Sequence, residues 1–512
     1  MIRRVPIHPV AFAAAPIVFL WGQNVGEVVP QQVAGPVWLS ITTGLALFGL
    51  LTAALRSVRR GALLASGLAF LYFSYGHVRA GTGASTNTLL FVWGLLTVVL
   101  VVLAVRLGDS LGEATKAANV AGIALLAVAA LPLATLIGSD AAAAEPGETG
   151  TLPPLPAAEE RPDRDIWYIV PDRYGSERNL REHYGFDNSD FIAYLESKGF
   201  TVVDDALTNY PKTAHALAAS LNMSYLDHLA DNRGDDWGPV YAMFREHRLG
   251  EFLTRHGYRY THIGSWWTPT STSDHADVTL RFGQLSEFAS VLRGTTILPD
   301  LRRTLTPEEE EFEDTPDEFR LRQRDHTAFG LDAMERLAAR RDSRPDFVLA
   351  HLTLPHGPNV FRADGTYVTG AEDRLRTKEE GYLEQVQYAN RRFREILDLL
   401  LDRPQDEMPI VVLQADEGVN PPRLEADIPG FVWPKATTAE LEQKFEVISA
   451  LLLPGVDAAI PEGMTSVNTF RFLLDTYFGT DLGLLPDRAF VFHNERDMYH
   501  FTDVTDRLRP AR

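Results

Sequence analysis

The hydrophobic positions of this chain are concentrated in five segments within the first 140 residues. These segments are Val5–Trp21, Val37–Leu55, Ala62–Val78, Thr88–Val105 and Ala118–Ile137. Each is close to the roughly 17–25 residues with which a helix crosses the hydrocarbon core of a bilayer. The first segment is the weakest, because two prolines and a histidine crowd its start. The pattern predicts a transmembrane domain of five helices over residues 1–138.

Basic residues mark alternate loops between these segments. Arg3 and Arg4 precede the first segment, three arginines follow the second, and Arg106 and Lys116 follow the fourth, whereas the other loops hold only Arg79. Loops rich in arginine and lysine stay in the cytoplasm. We therefore expect a multi-pass protein of the cell membrane, with a cytoplasmic N-terminus and an extracytoplasmic C-terminal domain. A signal peptide is the alternative for the first segment, and its cleavage would leave this topology unchanged.

The composition changes after the fifth segment. Residues 139–164 are rich in alanine, glycine and proline, and they predict a linker that is either flexible or an ordered strap. From residue 165 to residue 512, short apolar runs alternate with helical stretches. The predicted strands are Asp165–Val170, Phe200–Val203, Tyr258–Ile263, Asp346–Leu354, Ile410–Gln414 and Val447–Leu453, and the predicted helices include Ser189–Lys198, Lys378–Leu401 and Asn468–Phe478. This alternation predicts one α/β domain with a largely parallel sheet and helices on both faces.

The two parts of the chain differ in charge. Residues 1–140 hold 8 of the 48 basic and 4 of the 68 acidic residues, which leaves 40 basic and 64 acidic residues in the remainder. An acidic outer domain argues against nucleic acid as a partner. The acidic run Thr304–Glu318 predicts a solvated excursion. Because the chain has no cysteine, disulfides, cysteine metal sites and thiol nucleophiles are excluded.

Polar residues beside a glycine follow three of the predicted strands. Asp172 follows the first strand, His356 follows the strand at 346–354, and Asp416 and Glu417 follow the strand at 410–414. Ligands of open α/β sheets bind at the carboxyl ends of the strands. Each residue taken singly is equally well explained by a turn or a loop. Their coincidence at three strand ends favours a site in which the carboxylates share a cation.

A hydroxyl residue stands at the start of another predicted helix. Thr213 leads into the helix-forming stretch Ala214–Asn222. Free N–H groups and the helix dipole favour negative charge at such a position. Taken alone, Thr213 is most simply an N-cap. Beside a divalent cation it would instead be an activated nucleophile toward phosphorus or sulfur.

Six stretches of the outer domain match a known family in their order along the chain. They are DIWYIVPDRYG at 165–175, YGFDNSDF at 184–191, NYPKTAHALAASLN at 209–222, FVLAHLTLPHGPNVF at 347–361, VVLQADEG at 411–418 and SVNTF at 466–470. Together they resemble the alkaline-phosphatase/sulfatase superfamily. Five apolar segments before such a domain resemble its membrane-anchored branch, which includes lipoteichoic acid synthases and phosphoethanolamine transferases.

The resemblance implies roles for individual residues. In such enzymes an acidic residue after the first strand, a Thr or Ser nucleophile and a later Asp-His pair hold a catalytic cation, and here Asp172, Thr213 and Asp416 match. A histidine of the middle motif contacts the phosphoryl group or a second metal. His356 is the better match for that histidine, and His351 is the next.

Departures from the family pattern change the expected chemistry. Glu417 stands where the histidine of the Asp-His pair is usual. If Glu417 takes its place, the ligand shell is all oxygen and favours Mn²⁺ or Mg²⁺ over Zn²⁺; alternatively, Glu417 points away. Arg173 replaces a commonly small residue, and Arg173 or Lys212 could neutralise a phosphoryl oxygen. The sequence after Thr213 lacks the C/S-x-P-x-R motif of sulfatases, which argues against orthodox sulfatase activity.

These observations lead us to expect a metal-dependent phosphotransferase of the cell envelope. It would move a phosphoryl-linked headgroup from a membrane lipid to an envelope glycan or glycolipid through a phospho-threonine at Thr213. His356 would bind the phosphoryl oxygens or assist proton transfer. Two alternatives stay open, namely a membrane-anchored phosphodiesterase or sulfatase-like hydrolase, and a catalytically inactive scaffold of envelope assembly. The sequence does not indicate an oligomeric state.

Overall fold

The structure is a computed structural model that falls into two compact units. It describes residues 5–24, 28, 30–106, 110–143, 152, 155–158, 161–283, 287–305, 317–342 and 344–509. The N-terminal unit comprises Met1–Gly147 and Leu285–Glu311, and the C-terminal unit comprises Glu148–Gln284 and Phe312–Arg512. The described residues 287–305 therefore group with the N-terminal unit, whereas the sequence predicts them in the outer domain. The acidic run Thr304–Glu318 lies almost wholly outside the described residues.

Each predicted apolar segment of the N-terminal unit corresponds to a helix. The helices are α1 His8–Gln23, α2 Pro30–Leu55, α3 Val58–Thr82, α4 Thr86–Arg106 and α5 Leu111–Ala143. Among the described residues, four helical segments are long and apolar enough to cross a membrane, namely Val33–Leu55, Val58–Thr82, Thr86–Arg106 and Leu111–Leu133. The prediction of five spans is therefore corrected to four.

Helix α1 differs from the other four in length and in surroundings. It has 16 residues, which at 1.5 Å per residue give about 24 Å, less than the ~30 Å of a bilayer's hydrocarbon core. Its alanine-rich sequence lets α2, α3 and α5 pack closely around it, and the buried residues include Ala11, Ala13, Ala14, Ala15 and Ile17. Helix α1 is thus an internal helix of this unit.

The predicted linker is partly helical. Helix α5 continues to Ala143, so residues 139–143 belong to it. In the C-terminal unit, Leu155 and Ala158 pack against the hydrophobic core, and the Pro162 carbonyl accepts a hydrogen bond from the Tyr258 hydroxyl at 2.8 Å. These described residues follow the surface as an ordered strap. Residues 144–151, 153–154 and 159–160 of the linker lie outside the described part of the chain.

The described residues of the C-terminal unit contain one seven-stranded sheet with the order β2-β7-β6-β1-β5-β3-β4. Its strands are β1 Ile166–Pro171, β2 Thr201–Val202, β3 Arg259–Ile263, β4 Val278–Leu280, β5 Asp346–Leu352, β6 Ile410–Gln414 and β7 Ser449–Leu452, and a separate small hairpin pairs β8 Phe490–Val491 with β9 Thr502–Asp503. Strands β6, β1, β5, β3 and β4 run parallel, whereas β7 and β2 pair antiparallel. The prediction of a largely parallel α/β sheet is confirmed. Strand β4 was missed because its three residues are mostly exposed and form no apolar run.

Helices cover both faces of this sheet. The helices after α5 are α6 Glu177–Tyr184, α7 Ser189–Ser197, α8 Thr213–Asn222, α9 Gly238–Arg245, α10 Arg248–Arg255, α11 Glu287–Gly294, α12 Leu298–Leu305, α13 Asp317–Ala338, α14 Gly370–Asp373, α15 Lys378–Leu400, α16 Pro422–Ala426, α17 Thr438–Phe445, α18 Ser466–Phe478 and α19 Thr505–Leu508. Helices α11 and α12 belong to the N-terminal unit. One face packs against α8 and α18 and the other against α13 and α15.

Side chains of the central strands alternate between these two faces. In β1, Tyr168 and Val170 belong to the core under α8, whereas Trp167 and Ile169 belong to the opposite core. Strands β5 and β6 alternate in the same way, with Leu349 on the α8 face. Burying one such apolar side chain contributes about 1.5–3 kcal/mol, and a shift of one residue would move every side chain to the other face. The two cores therefore fix which strand-end residues can meet under α8.

Candidate metal centre

Three neighbouring strands bring Asp172, His351 and Asp416 together. Strand β1 lies between β5 and β6, and Asp172 and Asp416 follow β1 and β6 while His351 pairs with Val170 near the end of β5. Each residue is buried and offers one ligand atom, and these atoms all lie within 4.8 Å of one another. His351 continues the alternation of Leu349 and therefore faces α8. The histidine of the cluster is thus His351, the second choice of the sequence reading.

The atoms of this cluster leave polar capacity unused. Asp172 Oδ1, Asp416 Oδ2 and His351 Nε2 are buried and have no hydrogen-bond partner among the described residues. His351 Nε2 lies 3.7 Å from an Asp172 oxygen and 3.9 Å from an Asp416 oxygen. Each buried polar atom without a partner costs about 1–3 kcal/mol, and the two carboxylates also repel. A divalent cation would satisfy all three atoms, so these residues fit a metal ion.

Burial is the largest influence on the charges of the cluster. Burial, and then the charge of Asp416, raises the pKa of Asp172 well above its usual range. Burial, and then Glu417, raises the pKa of Asp416 to about 7. Burial lowers the pKa of His351 to about 3, which keeps the imidazole neutral. Neutral imidazole and ionised carboxylate are the forms that bind metals.

Thr213 lies beside this cluster at the start of α8. The N-cap of the helix is Lys212, with φ −138° and ψ 136°, and Thr213 is the first helical residue. Thr213 is therefore not the N-cap, and its hydroxyl lies near enough to the Asp416 carboxylate to act against the rise in the pKa of that group. The first bond of the helix runs from the Ala216 N–H to the Lys212 carbonyl at 2.9 Å. The N–H groups before it can therefore face an anion near the Thr213 hydroxyl.

Glu417 has different partners from those expected of a metal ligand. Its Oε1 lies 2.7 Å from the Lys444 ammonium and 3.0 Å from Nε of Arg173. Burial raises the pKa of Glu417, but Lys444, Arg173 and Lys212 outweigh that effect and lower it. Glu417 Oε2 is buried without a hydrogen-bond partner among the described residues. Glu417 is therefore not part of the candidate ligand set, which is Asp172, His351 and Asp416. The Lys444 ammonium of α17 pairs with Glu417, and His351 supplies a nitrogen in place of the expected third carboxylate oxygen.

Lys444 is a functional-site residue that the sequence analysis did not consider. It is the penultimate residue of α17 and is completely buried. Its ammonium also donates to the Gly418 carbonyl at 3.0 Å and to Asn420 Oδ1 at 2.6 Å. Lysine is almost never buried unless it is paired. An unremarkable helix-end lysine gives no sequence signal of such a role.

Arg173 connects Glu417 with the metal cluster. Its backbone has φ 64°, in the left-handed region that non-glycine residues rarely adopt. Its N–H donates to Asp416 Oδ1 at 3.3 Å, and its carbonyl accepts from the Tyr382 hydroxyl at 3.0 Å. The turn after β1 therefore uses a strained residue to hold Asp416 through the backbone while the guanidinium holds Glu417.

His356 and Lys212 lie near these charges. The His356 N–H donates to the Asp172 carbonyl at 3.1 Å, and its Nδ1 donates to the Gly357 carbonyl. Burial, and then the charge of Arg173, lowers the pKa of His356 to about 3. The Lys212 ammonium lies 2.6 Å from Glu495 Oε1. Both residues are thus held by other groups at the margin of the cluster.

A chain of buried hydrogen bonds supports His351 from behind. The Gly250 N–H donates to His247 Nδ1 at 2.9 Å, which leaves the ring proton on Nε2 to be donated to the Tyr260 oxygen at 2.9 Å. Tyr260 then donates to His262 Nδ1 at 3.1 Å, and His262 Nε2 donates to the Thr270 carbonyl at 2.8 Å. One backbone N–H thereby fixes the direction of every bond up to Thr270.

The side-chain hydroxyl of Thr270, a different group from the carbonyl that His262 bonds, contacts His351. This hydroxyl lies 2.8 Å from His351 Nδ1 and 2.7 Å from the Ser265 hydroxyl. If Thr270 accepts the Nδ1 proton, Nε2 keeps a lone pair directed at the two carboxylates. An outer partner of this kind sets the tautomer and orientation of a metal-binding histidine.

Residues 164–448 match the sulfatase family model. The chain belongs to the sulfatase family. The matched region includes the whole cluster, Thr213 and Lys444, and it confirms the superfamily resemblance noted from the motifs. No curated protein matches this sulfatase-family chain significantly.

Several solved structures resemble this chain in fold. The C-terminal periplasmic domain of EcEptC from Escherichia coli, in complex with Zn, has 12% identity and a TM-score of 0.42, over 69% of this chain and 96% of that chain. The lipoteichoic acid synthase LtaP from Listeria monocytogenes has 13% identity and a TM-score of 0.38, over 65% and 79%. The integral membrane protein lipooligosaccharide phosphoethanolamine transferase A from Neisseria meningitidis has 11% identity and a TM-score of 0.35, over 92% and 95%. At these identities the likeness is one of fold alone.

Metal content distinguishes the two candidate ligand sets. His351→Ala should lower the divalent metal bound by the purified full chain, because it removes one of the three atoms that lie without partners. Glu417→Gln should retain the metal, since Glu417 is paired with Lys444. Elemental analysis after dialysis against a weak chelator measures both variants. Metal lost from the glutamine variant but kept by the alanine variant would instead restore the all-oxygen shell.

The hydroxyl of Thr270 should matter for metal affinity. Thr270→Val keeps the shape but removes the acceptor for His351 Nδ1, and outer partners of this kind are worth about 10- to 100-fold in affinity. Thr270→Ser, which keeps the hydroxyl, is the matched control. Calorimetric titration with Mn²⁺ and Zn²⁺ measures the dissociation constants. Equal constants for the valine and serine variants would show that the hydroxyl does not act on His351.

Removing the Lys444 charge should destabilise the fold. Lys444→Met leaves Glu417 with one buried counter-charge fewer, and breaking a buried pair costs about 3–5 kcal/mol. The double variant Lys444→Met/Glu417→Gln should recover much of that loss, because the buried Glu417 charge is removed with its Lys444 counter-charge and only the more exposed Arg173 loses a partner. Thermal unfolding of the full chain, followed by tryptophan fluorescence, compares the three proteins. A double variant no more stable than Lys444→Met would contradict the pairing.

Proposed function

We propose that this chain is a metal-dependent phosphotransferase of the cell envelope that acts through Thr213. The observation that carries the proposal is the position of the Thr213 hydroxyl, at the start of α8 and beside Asp416 of the candidate metal cluster. A hydroxyl at a helix N-terminus and beside a cation is placed for attack on a tetrahedral anion. Membership in the sulfatase family supports this class of chemistry.

Asp172, Asp416 and His351 would hold the cation, with the Thr213 hydroxyl beside them. Two carboxylates and an imidazole suit Mn²⁺ or Zn²⁺ better than Mg²⁺, which prefers oxygen ligands. When bound, the cation supplies positive charge that lowers the pKa of the nearby hydroxyl and offsets charge on phosphoryl oxygens. Mn²⁺ therefore stays an expected metal, and the histidine ligand makes Zn²⁺ a stronger candidate than the sequence alone suggested.

The reaction would take place in two displacements at Thr213. In the first, Thr213 Oγ forms a bond to phosphorus, and the bond from phosphorus to the lipid oxygen breaks, so that a diacylglycerol-like alcohol leaves. In the second, a hydroxyl of an envelope glycan or glycolipid attacks the phospho-threonine and restores the Thr213 hydroxyl. The N–H groups at the start of α8 would bind the phosphoryl oxygens in both steps.

Two further side chains would assist. Nε of Arg173 pairs with Glu417. The two terminal nitrogens of its guanidinium would then be able to donate hydrogen bonds to a phosphoryl oxygen. Nδ1 of His356 donates to the Gly357 carbonyl, so Nε2 is the ring nitrogen that would handle the protons of the attacking and leaving oxygens. Lys212, which pairs with Glu495, would act on the substrate through its charge.

The charges of the N-terminal unit support an outer location for the C-terminal unit. The N–H groups of Ile7 and His8 donate to Asn119 near the start of α5, so the N-terminus lies at the same end as Arg106 and Lys116. We infer that this basic end is cytoplasmic. The last helix, α5, would then end on the extracytoplasmic side, where a lipid donor and a glycan acceptor are both within reach. This inference holds whether or not the short α1 crosses the membrane.

The hydrolase alternative differs only in the acceptor, which would be water. The inactive-scaffold alternative is based on Glu417 standing where a metal-binding histidine is usual. That argument is weaker because His351 is available as the third ligand. We therefore propose the transferase. The reaction products distinguish it from the hydrolase, because only the transferase attaches the phosphoryl-linked group to a glycan or glycolipid.

Thr213→Ala should lower turnover by a factor on the order of 10⁴ or more, as the loss of other catalytic nucleophiles does. Thr213→Ser, which keeps a hydroxyl, should retain measurable turnover. The assay uses the full chain in liposomes of phosphatidylglycerol and phosphatidylethanolamine, with mass spectrometry for diacylglycerol release and for a phosphorylated peptide containing Thr213. Diacylglycerol release by the alanine variant at the native rate would remove Thr213 as the nucleophile. Continued diacylglycerol release at the same rate with and without an added glycan acceptor would favour the hydrolase.

A further inference from the structure

A hairpin of two helices, α11 and α12, belongs to the N-terminal unit although the chain on both sides of it belongs to the C-terminal unit. We propose that this hairpin is embedded in the membrane interface and that its outward apolar face contacts lipid. The sequence gives no such indication, because each helix has only eight residues and carries charges.

The tip of the hairpin is hydrogen-bonded to the backbone of α3. The Gly76 N–H donates to the Thr295 carbonyl at 2.9 Å, and the Ile297 N–H donates to the Tyr72 carbonyl at 3.2 Å. A β-carbon on Gly76 would lie 2.2 Å from the Gly294 carbonyl oxygen, so only glycine allows this approach. Irregular backbone at membrane depth requires such partners, because lipid offers none.

A buried carboxylate fixes α12 to the same helix. Asp300 is 1% exposed and accepts hydrogen bonds from the Tyr75 hydroxyl, from Arg79 and from Thr86. Ile297 packs in a cluster with Tyr75 and with apolar residues of α3 and α4. A carboxylate so deeply buried is retained only with partners. This side of the hairpin is therefore a built interface with the helices.

The other arm of the hairpin reaches the same end of the helical unit. Phe288 of α11 packs with Ile17 near the end of α1 and with Val33 near the start of α2. The α3 and α4 contacts lie toward the end of α3 and at the start of α4. Because successive helices alternate in direction, these four positions mark one end of the unit. It is opposite to the end that carries Arg59, Arg60 and Arg106.

The depth of the contact suits an interfacial segment. Helix α3 has 25 residues, or about 37 Å at 1.5 Å per residue, which exceeds the ~30 Å hydrocarbon core. Gly76 is six residues, about 9 Å, from the end of α3 at Thr82. Its contact with the hairpin then falls near the boundary between headgroups and acyl chains, where amphipathic helices lie.

The outward face of the hairpin carries several exposed apolar side chains beside the exposed Arg302, as in an amphipathic interfacial helix. Val291 of α11 is 51% exposed, and Leu298 and Leu305 of α12 are 46% and 70% exposed. Leu301 lies between these leucines, so α12 presents residues i, i+3 and i+7 on one side. The hairpin packs on α3 and α4 through Ile297, and α4 exposes apolar side chains of its own, such as Phe91 at 75%. Lipid is therefore the surrounding that suits the exposed apolar side chains of both.

The chain has no cysteine, which allows a direct test by single spin labels. We would place one label at a time through Leu298→Cys, Leu305→Cys, Phe91→Cys as the lipid-facing reference, and Leu375→Cys as the water-facing reference, since Leu375 is 88% exposed in the C-terminal unit. The full chain in phosphatidylglycerol/phosphatidylcholine nanodiscs is probed with oxygen, which partitions into lipid, and with a water-soluble nickel chelate. Ratios of oxygen to nickel accessibility at the two α12 positions nearer to that of Phe91 are expected. Ratios nearer to that of Leu375 would overturn the proposal.

A matched pair of glycine variants tests the contact between the hairpin tip and Gly76 of α3. Gly76→Ala should displace the hairpin, because its added carbon meets the Gly294 carbonyl, whereas Gly94→Ala in α4 meets nothing within 4 Å. With the label at Leu298, Gly76→Ala should change the ratio and the label mobility, and Gly94→Ala should leave both as they were. Unchanged spectra in Gly76→Ala would show that the hairpin does not rest on α3. Because the measurement reads label accessibility and mobility and not turnover, its outcome is independent of the proposed transferase reaction.

Discussion

The structure of the site depends on the burial of three carboxylates at one edge of a sheet. Asp172, Asp416 and Glu417 are all almost inaccessible to water, and a buried charge is costly unless it is paired. Glu417 has resident counter-charges in Lys444 and Arg173. Asp172 and Asp416 face a neutral imidazole and a hydroxyl instead, so their negative charge is left for a cation to neutralise. This division of charge separates Glu417, which is paired within the protein, from the two carboxylates that could hold a metal ion.

The strand order of the sheet determines which of these side chains lie together. Because β1 is flanked by β5 and β6 in parallel, the carboxyl ends of all three strands meet at the same edge. The alternation of side chains then directs Asp172 and His351 to the face covered by α8, whose first residue is Thr213. Arg173, forced into a left-handed backbone conformation, connects the two carboxylate environments through its N–H and its guanidinium. The same packing that buries the two cores thereby positions the Thr213 hydroxyl beside the candidate metal cluster.

Much of this arrangement could be predicted from the sequence because it is set locally. Apolar runs marked the main strands, helix-forming residues after Thr213 marked the start of α8, and polar residues after β1 and β6 marked Asp172 and Asp416. The choice between His351 and His356 was not local. It follows from the register of β5 against β1, which pairs His351 with Val170, and the motif alone does not contain that register.

By itself, then, the sequence determined a membrane-associated chain, a largely parallel α/β domain, and the carboxylates and hydroxyl of the site, since periodicity and strand ends express these features directly. The tertiary structure decided what depends on distant partners. Lys444 from α17 engages Glu417, so its neighbour Asp416 and not Glu417 faces the cation site. Neighbouring helices surround the short α1, and a loop seated on Gly76 places α11 and α12 with the membrane helices. Burial by distant residues changes the role of a side chain without leaving a mark in its local sequence.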